Sequence, residues 1–441
     1  LSYFRTEANN KGIREMTEEF LHYIWQHHLF NQTVYTPEGS EPIEIISPGI
    51  RNMDEGPDFY NTRIKIGDTL WVGNCEIHVV ASDWYRHGHH TNPLFDNVIL
   101  HVVYKNDQPA INSKGVVIPS IELPVDNGLY QRYEKYRSIQ TDVRCKDFIA
   151  RVDPVYIAAL LSKGIAERLI ERAHAIHQIL EANHYDWEHC AMIWLGKAFG
   201  FKVNEAPFEM LMRSLPLAVL QRSAHNLQTL EALLLGQAGL LHENFHEDYP
   251  QLLYREYVFL RKKYNLTPME GHLWKKMRIR PANFPAVRIA QLAAFLHKNP
   301  AFFQKLLDIH TGDQIFSLFD VTASSYWDNH YQPDQPARLY PKKLSQSAVL
   351  LLAINTLVPL LFAYGHEKDR DDYKGQAIRI LEDIGPEQNS IIDKWRNFGI
   401  LARNASESQA LLQIYNKHCL LQRCLQCEVF NQMMTKKLYA F

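Results

Sequence analysis

The period of the apolar residues changes once along this chain, near Cys145, and that change limits the possible folds more than any other feature. Before it, short runs rich in Val and Ile alternate with turn pairs such as Gly67-Asp68, Asn92-Pro93 and Asn106-Asp107. The pattern predicts strands over residues 43–46, 62–66, 70–80, 98–104 and 116–123. A helix is predicted ahead of them over residues 17–30. Thr17 is a good N-cap, Glu18 and Glu19 fall in the first turn, and Phe20, Tyr23, Ile24 and Trp25 follow at roughly helical spacing. A second helix over 129–137 closes the block. After Cys145 the apolar stripes recur at i, i+3, i+4 and i+7, over 154–181, 186–199, 251–264, 286–297, 345–361 and 373–384. Pro-containing loops at 281–285 and 332–341 interrupt them. The expected fold is therefore α+β: an N-terminal mixed β-sheet domain with flanking helices over 16–144, then a large all-helical domain over 145–441. Residues 1–15 are polar and aperiodic, and read either as a disordered tail or as an over-extended gene model with Met16 as the true start.

Composition narrows the functional classes. With 47 Lys+Arg against 49 Asp+Glu and a net charge of −2, the chain is neither a disordered acidic tail nor a globally basic, histone-like binder. Six cysteines in 441 residues are too few for a disulfide framework, so clustered ones are metal ligands or core residues. No apolar run is read as long enough to span a bilayer, and the N-terminal residues lack the layout of a secretory signal. A cytoplasmic protein without a membrane partner is expected. No Walker phosphate loop, Gly-x-Gly-x-x-Gly or Gly-x-Ser-x-Gly motif occurs, which argues against familiar kinases, dehydrogenases and serine hydrolases.

The densest polar block runs from Asp54 to Phe59 and continues in Gly73-Asn74-Cys75-Glu76-Ile77-His78. Strand alternation puts Glu76 and His78 on one face of the sheet. Hard cations such as Mg²⁺ or Mn²⁺ take a few carboxylate oxygens plus water, and two acids on adjacent strands can hold one ion. A second block, Ser82 to His90, continues from the same strand, with His101 in the next. There Asp83, His87, His89, His90, His78 and His101 are expected to converge at one strand end as ligands for a transition metal. The alternative is nucleic-acid contact, with Arg86, His87, His89 and His101 meeting phosphates and Trp84 and Tyr85 offering stacking surfaces. A polar loop with a histidine-rich tip is the plain structural reading of the same residues.

Pro57-Asp58, then 17 residues, then Glu76-x-His78 resembles the PD-(D/E)XK nuclease superfamily, which often adds an acid from a preceding helix. The resemblance implies Asp58 and Glu76 as ligands of Mg²⁺ or Mn²⁺, with Glu19 or its neighbour Glu18 as the helical acid. It implies His78 as the residue that positions water. The usual Lys is replaced by His78, which puts catalysis in question and leaves a non-catalytic binding or scaffold protein with a decayed nuclease-like core as the second reading. The chain also resembles, over almost its whole length, a conserved family of Bacteroidetes proteins with a domain of unknown function. That likeness is carried by Gly56-Pro-Asp-Phe59, Ser82-Asp-Trp84, His87-Gly-His89, Arg278-Ile-Arg-Pro281, Tyr326-Trp327 and the terminal cysteines.

Those terminal cysteines are Cys419, Cys424 and Cys427, three thiols within nine residues, with His418 adjacent. Given a fourth ligand, for which Cys145 is the first choice and His418 the second, they suit Zn²⁺ or an iron–sulfur cluster. Packing of Cys424 and Cys427 on one helical face explains them equally well. His242-Glu-x-x-His246 matches the zincin pattern but sits between a predicted helix end and a loop, and is discounted. The loops 278–285 and 326–331 read as helix-capping or domain-packing segments, although Arg278 and Arg280 also suit phosphate.

Overall fold

The computed structural model describes residues 16–30, 33–36 and 41–435; the aperiodic stretch 1–15 lies outside them. Its contacts form two units. One holds the described residues up to Ile157 together with those from Lys417 onward, and the other is Ala158–Asn416. The sequence placed the division at 144/145 and assigned everything after it to the helical part. The contacts instead carry the segment after Asn416 back to the sheet.

The first unit is built on a mixed sheet. Helix α1 (Glu18–Gln26) starts where Thr17 accepts the Phe20 N–H and ends four residues short of the expected limit, at a His27 cap followed by His28 with φ +50°. Strands β1 (Val34–Tyr35), β2 (Ile43–Ser47), β3 (Ile50–Arg51), β4 (Phe59–Ile66) and β5 (Thr69–Val80) pair antiparallel. After a histidine-bearing crossover, β6 (Val98–Lys105) adds parallel to β5. The short strand Ser120–Glu122 adds parallel to β6. The strand expected over 116–123 is broken in two, Val117–Ile118 and Ser120–Glu122, because Pro119 has no N–H for the ladder. Gly73 allows β5 to pass the strand beside it, since a Cβ there would lie 2.4 Å from Ile99 Cγ2. Phe20, Tyr23, Ile24 and Trp25 of α1 are all buried. Burying each large side chain is worth about 1.5–3 kcal/mol. The helix Glu428–Thr435 returns to this core: Phe430 packs edge-on against Tyr23, and Tyr23 donates to Asn431 Oδ1 at 3.0 Å.

The second unit is helical, with helices that include Trp187–Phe199, Leu227–Gln237, Asp248–Tyr264 and Pro285–Lys298 packed around one apolar core. The run Gln346–Glu367 is, contrary to the expectation, long and apolar enough to cross a membrane, but 78% of its most apolar window is buried, as in a core helix. Pro359 has no N–H to give inside this run. The helix takes a wide turn at Ala353–Leu357, and the Asn355 carbonyl accepts the Trp194 indole N–H at 2.9 Å. The discounted 242–246 motif falls between two helices, and its His242 stacks on Phe245 at 3.8 Å.

Candidate metal centre

The β4–β5 hairpin brings the two predicted acids together. Asp58, at the start of β4, donates its backbone N–H to Glu76 Oε2 at 3.0 Å, and the Ile77 N–H returns to Asp58 Oδ2 at 2.9 Å. One oxygen of each carboxylate is thereby anchored to backbone. Glu76 Oε1 is left facing His89 Nε2 at 3.1 Å and His78 Nε2 at 3.6 Å. Helix α1 adds two groups from the other side, Glu18 and His22, one turn apart on one face. His22 Nε2 lies 2.9 Å from Asp58 Oδ2, while its Nδ1 meets Arg51 Nη2 at 3.1 Å. An arginine can only donate, so Nδ1 accepts and Nε2 carries the ring proton; Nε2 approaches Asp58 but lies outside hydrogen-bond geometry.

The electrostatics of the cluster are those of a site short of positive charge. Burial pushes the Glu76 carboxyl well above the ordinary range, and the Asp58 carboxylate adds to the push. Glu18 is raised too, first by burial and then by Asp58, against the opposing pull of His87 and His22. The histidines do not supply the missing charge. Burial first, then the neighbouring imidazoles His101, His89 and His87, press His78 down to about 2, and burial holds His101 down near 4. Burial also lowers His89.

Three imidazoles present ligand atoms within 4.8 Å of one another: His78, His87 and His89. His78 Nδ1 shares a hydrogen bond with His101 Nε2 at 2.8 Å, and His78 Nε2 meets His87 Nδ1 at 3.2 Å. The His89 Nε2 atom is buried and lacks a hydrogen-bond partner, despite its approach to Glu76 Oε1. A carboxylate oxygen and an imidazole nitrogen this close are ligand types that one cation can share.

Several expected roles change. Of the two helical acids, Glu18 faces Asp58 and His22, whereas Glu19 is exposed and neighbours Tyr133 and Cys424. Trp84 is fully buried, with its indole N–H on the Ile111 carbonyl at 2.9 Å, so it walls His78, His89 and His101 and offers no stacking surface. His101 is fully buried as well and hydrogen-bonds His78. Asp83 is paired with the exposed Arg86 in the turn Asp83–Arg86. His90 packs on Tyr85, and the Tyr85 hydroxyl is taken by the Pro109 carbonyl at 2.7 Å. His87 remains exposed beside the cluster. Sequence reasoning missed His22 and Arg51; the Glu18-x-x-x-His22 spacing on a capped helix was the available signal.

The four cysteines also gather, all in the first unit. Cys145 is raised by burial and then by Cys419, Cys427 and Cys424, and Cys419 by burial and then by Cys427 and Cys424. Burial, with Cys424 adding, pushes Cys427 up to about 11. Cys424 and Cys427 do not share a helical face, since Cys424 lies in the turn Cys424–Gln426 and the helix begins only at Glu428.

Fold and site together define an α+β protein with a carboxylate–imidazole cluster on one face of a mixed sheet. The chain belongs to the family described as proteins of unknown function, DUF2851, whose model matches residues 18–390. That span takes in the whole cluster and stops short of the terminal cysteines. No curated protein and no solved structure matches the chain.

Proposed function

We propose that the chain is a cytoplasmic, divalent-metal-dependent phosphodiesterase acting on nucleic acid. The observation that carries the reading is the convergence of Asp58, Glu76, Glu18 and His89, with the carboxylates anchored on one oxygen and His89 Nε2 left without a partner. Asp58, Glu76 and Glu18 would hold Mg²⁺ or Mn²⁺, and His89 fits beside them. A bound ion of this kind supplies Lewis acidity and a more acidic water. His22, itself fixed by Arg51, orients Asp58. His78, its ring set by His101 through Nδ1, would position the attacking water through Nε2, with the exposed His87 giving up its contact there. His87 and Arg86, at the accessible side, meet the phosphate. The four free thiols form a second, structural site for Zn²⁺ or an iron–sulfur cluster, and free cysteines throughout suit a reducing compartment.

One observation favours the second reading, a binding or scaffold protein with a decayed core. His78, in the position of the superfamily's Lys, is held neutral and cannot offer that charge. Activity decides between them. Single- and double-stranded DNA and RNA are incubated with the protein and Mn²⁺, alongside Asp58→Ala and Glu76→Gln. Cleavage that is lost in both variants is expected; cleavage that survives in both, or none in the wild type, removes the enzyme reading.

A further inference from the structure

The helix Pro285–Lys298 is buried along most of its length, and it buries a guanidinium. Arg288 is 7% exposed and forms no ion pair among the described residues. Its Nη1 donates to Gln291 Oε1 at 2.8 Å and its Nη2 to Asn283 Oδ1, both neutral acceptors. Its Nε is buried without a partner, and the Cζ stands 4.4 Å over the Phe201 ring. Burial pulls its pKa down to about 10, with no carboxylate to oppose the effect. A second buried cation lies close by. Lys342 is 3% exposed, and its Nζ donates to the carbonyls of Asp328 and Tyr340 at 2.9 and 2.7 Å. It sits 4.3 Å over the Tyr331 ring, and the Asp328 carboxylate acts on it only from beyond salt-bridge range.

Burying a cation without a carboxylate beside it is costly, and of these two Arg288 has none while Lys342 has only the more distant Asp328. Both line a single cavity of about 470 Å³. Arg280 and Lys343 stand exposed at its edge, the mutually bonded hydroxyls of Ser345 and Ser347 line it, and among the described residues no Asp or Glu does. Lys343 is paired with Asp320 at 2.6 Å, which leaves Arg280, Arg288 and Lys342 as the positive charge of the cavity. Of the lining residues, Arg280, Asn283 and Tyr331 belong to the loops read from sequence as capping or packing segments, and Arg288 and Lys342 do not.

We propose that this cavity is a binding site for a small phosphate-bearing anion. A terminal phosphate offers three acceptor oxygens. Arg288 Nε and the third Lys342 proton are the donors left over, and Arg280 closes over the ligand from the rim. The aromatic faces of Phe201 and Tyr331 are already occupied by the two cations, so recognition falls on the phosphate rather than on a stacked base. The depth of Arg288 and Lys342 suits a terminal phosphate and excludes the passage of a continuous strand. The site is made of residues outside the carboxylate cluster and stands whether or not that cluster is catalytic.

The test is calorimetric titration of the full chain, in chelator, with inorganic pyrophosphate and with adenosine monophosphate, against sodium chloride at matched ionic strength. Saturable binding of about one equivalent is expected, weakened roughly tenfold or more in Arg288→Met and less in Arg280→Ala. Arg280 is exposed, so its variant keeps the test valid if Arg288→Met fails to fold. Tighter binding of the nucleotide would identify a nucleoside phosphate, and equal or tighter binding of pyrophosphate a bare phosphate, both within the proposal. Asp58→Ala should bind both ligands as the wild type does, which separates this site from the metal centre. No saturable binding by the wild type, heat matched by chloride, or unchanged affinity in both arginine variants would overturn it.

Discussion

A carboxylate with one oxygen tied to backbone and the other turned toward imidazoles is prepared for a cation, and Glu76 in β5 is in that state. Its cost in the metal-free protein is plain, because burial and the Asp58 charge both oppose ionisation. The ligand set is where residue-level prediction is sharpest. Glu18→Gln should weaken Mn²⁺ binding about tenfold, the loss of one charged ligand at roughly 1.4 kcal/mol, whereas Glu19→Gln should leave it unchanged. Competition with a metal-sensitive dye reads both, and equal effects of the two variants would remove Glu18 from the site. His22→Ala should act through Asp58: a milder loss of affinity is expected, partly recovered in His22→Asn, whose side chain still reaches toward the carboxylate as a donor.

At the scale of elements, Glu231 shows how the helical unit ties its parts together. It is fully buried on the helix Leu227–Gln237. Its Oε2 accepts from Tyr249 at 2.8 Å, from Ser324 at 3.1 Å and from the Trp327 indole at 3.1 Å. Glu231→Ala should cost about 2–4 kcal/mol in denaturant unfolding, because it leaves buried donors unpaired. Burial nevertheless holds the Glu231 pKa above its ordinary 4.5, despite these donors. A raised carboxyl pKa means that the folded state binds the proton more tightly than the unfolded state. Its contribution to stability is therefore full below the ordinary value and is lost as pH rises through the folded one. Thermal denaturation of wild type and Glu231→Gln across that range should show the wild type losing ground as pH rises; parallel profiles would contradict it. The C-terminal cysteines make a separate prediction. Anaerobically purified protein should carry near-stoichiometric zinc or iron, and Cys424→Ser should lose the metal and melt lower. Metal below about a tenth of an equivalent, with unchanged melting, would return the thiols to simple packing.

At the scale of the whole molecule, the first unit is completed by chain from its far end. Asn431 and Phe430 meet Tyr23, and Gln432 accepts the Asp153 N–H at 3.1 Å. How much of this was legible follows from the range of each interaction. The Thr17 cap, the β4–β5 hairpin and the pairing of Asp58 with Glu76 are local or two-strand features, and period and turn residues announce them. Pro119 shows the limit of a run read by composition, since one missing N–H divided a predicted strand. The return of the C-terminal segment was hinted at only by the suggestion that Cys145 joins its cysteines, because contacts across hundreds of residues leave no local period. The anion cavity was least legible. Arg288 lies in a predicted helix and Lys342 between predicted elements, and only the structure shows Arg288 buried on neutral acceptors and Lys342 buried with the Asp328 carboxylate beyond salt-bridge range.

The central claim is that Asp58 and Glu76 form a divalent-metal site, and Mn²⁺ titration by calorimetry on metal-stripped protein tests it most directly. The wild type should give a saturable isotherm that is abolished in Asp58→Ala, with the variant still folded by circular dichroism. The same heat in both proteins, or none in the wild type, would contradict the account.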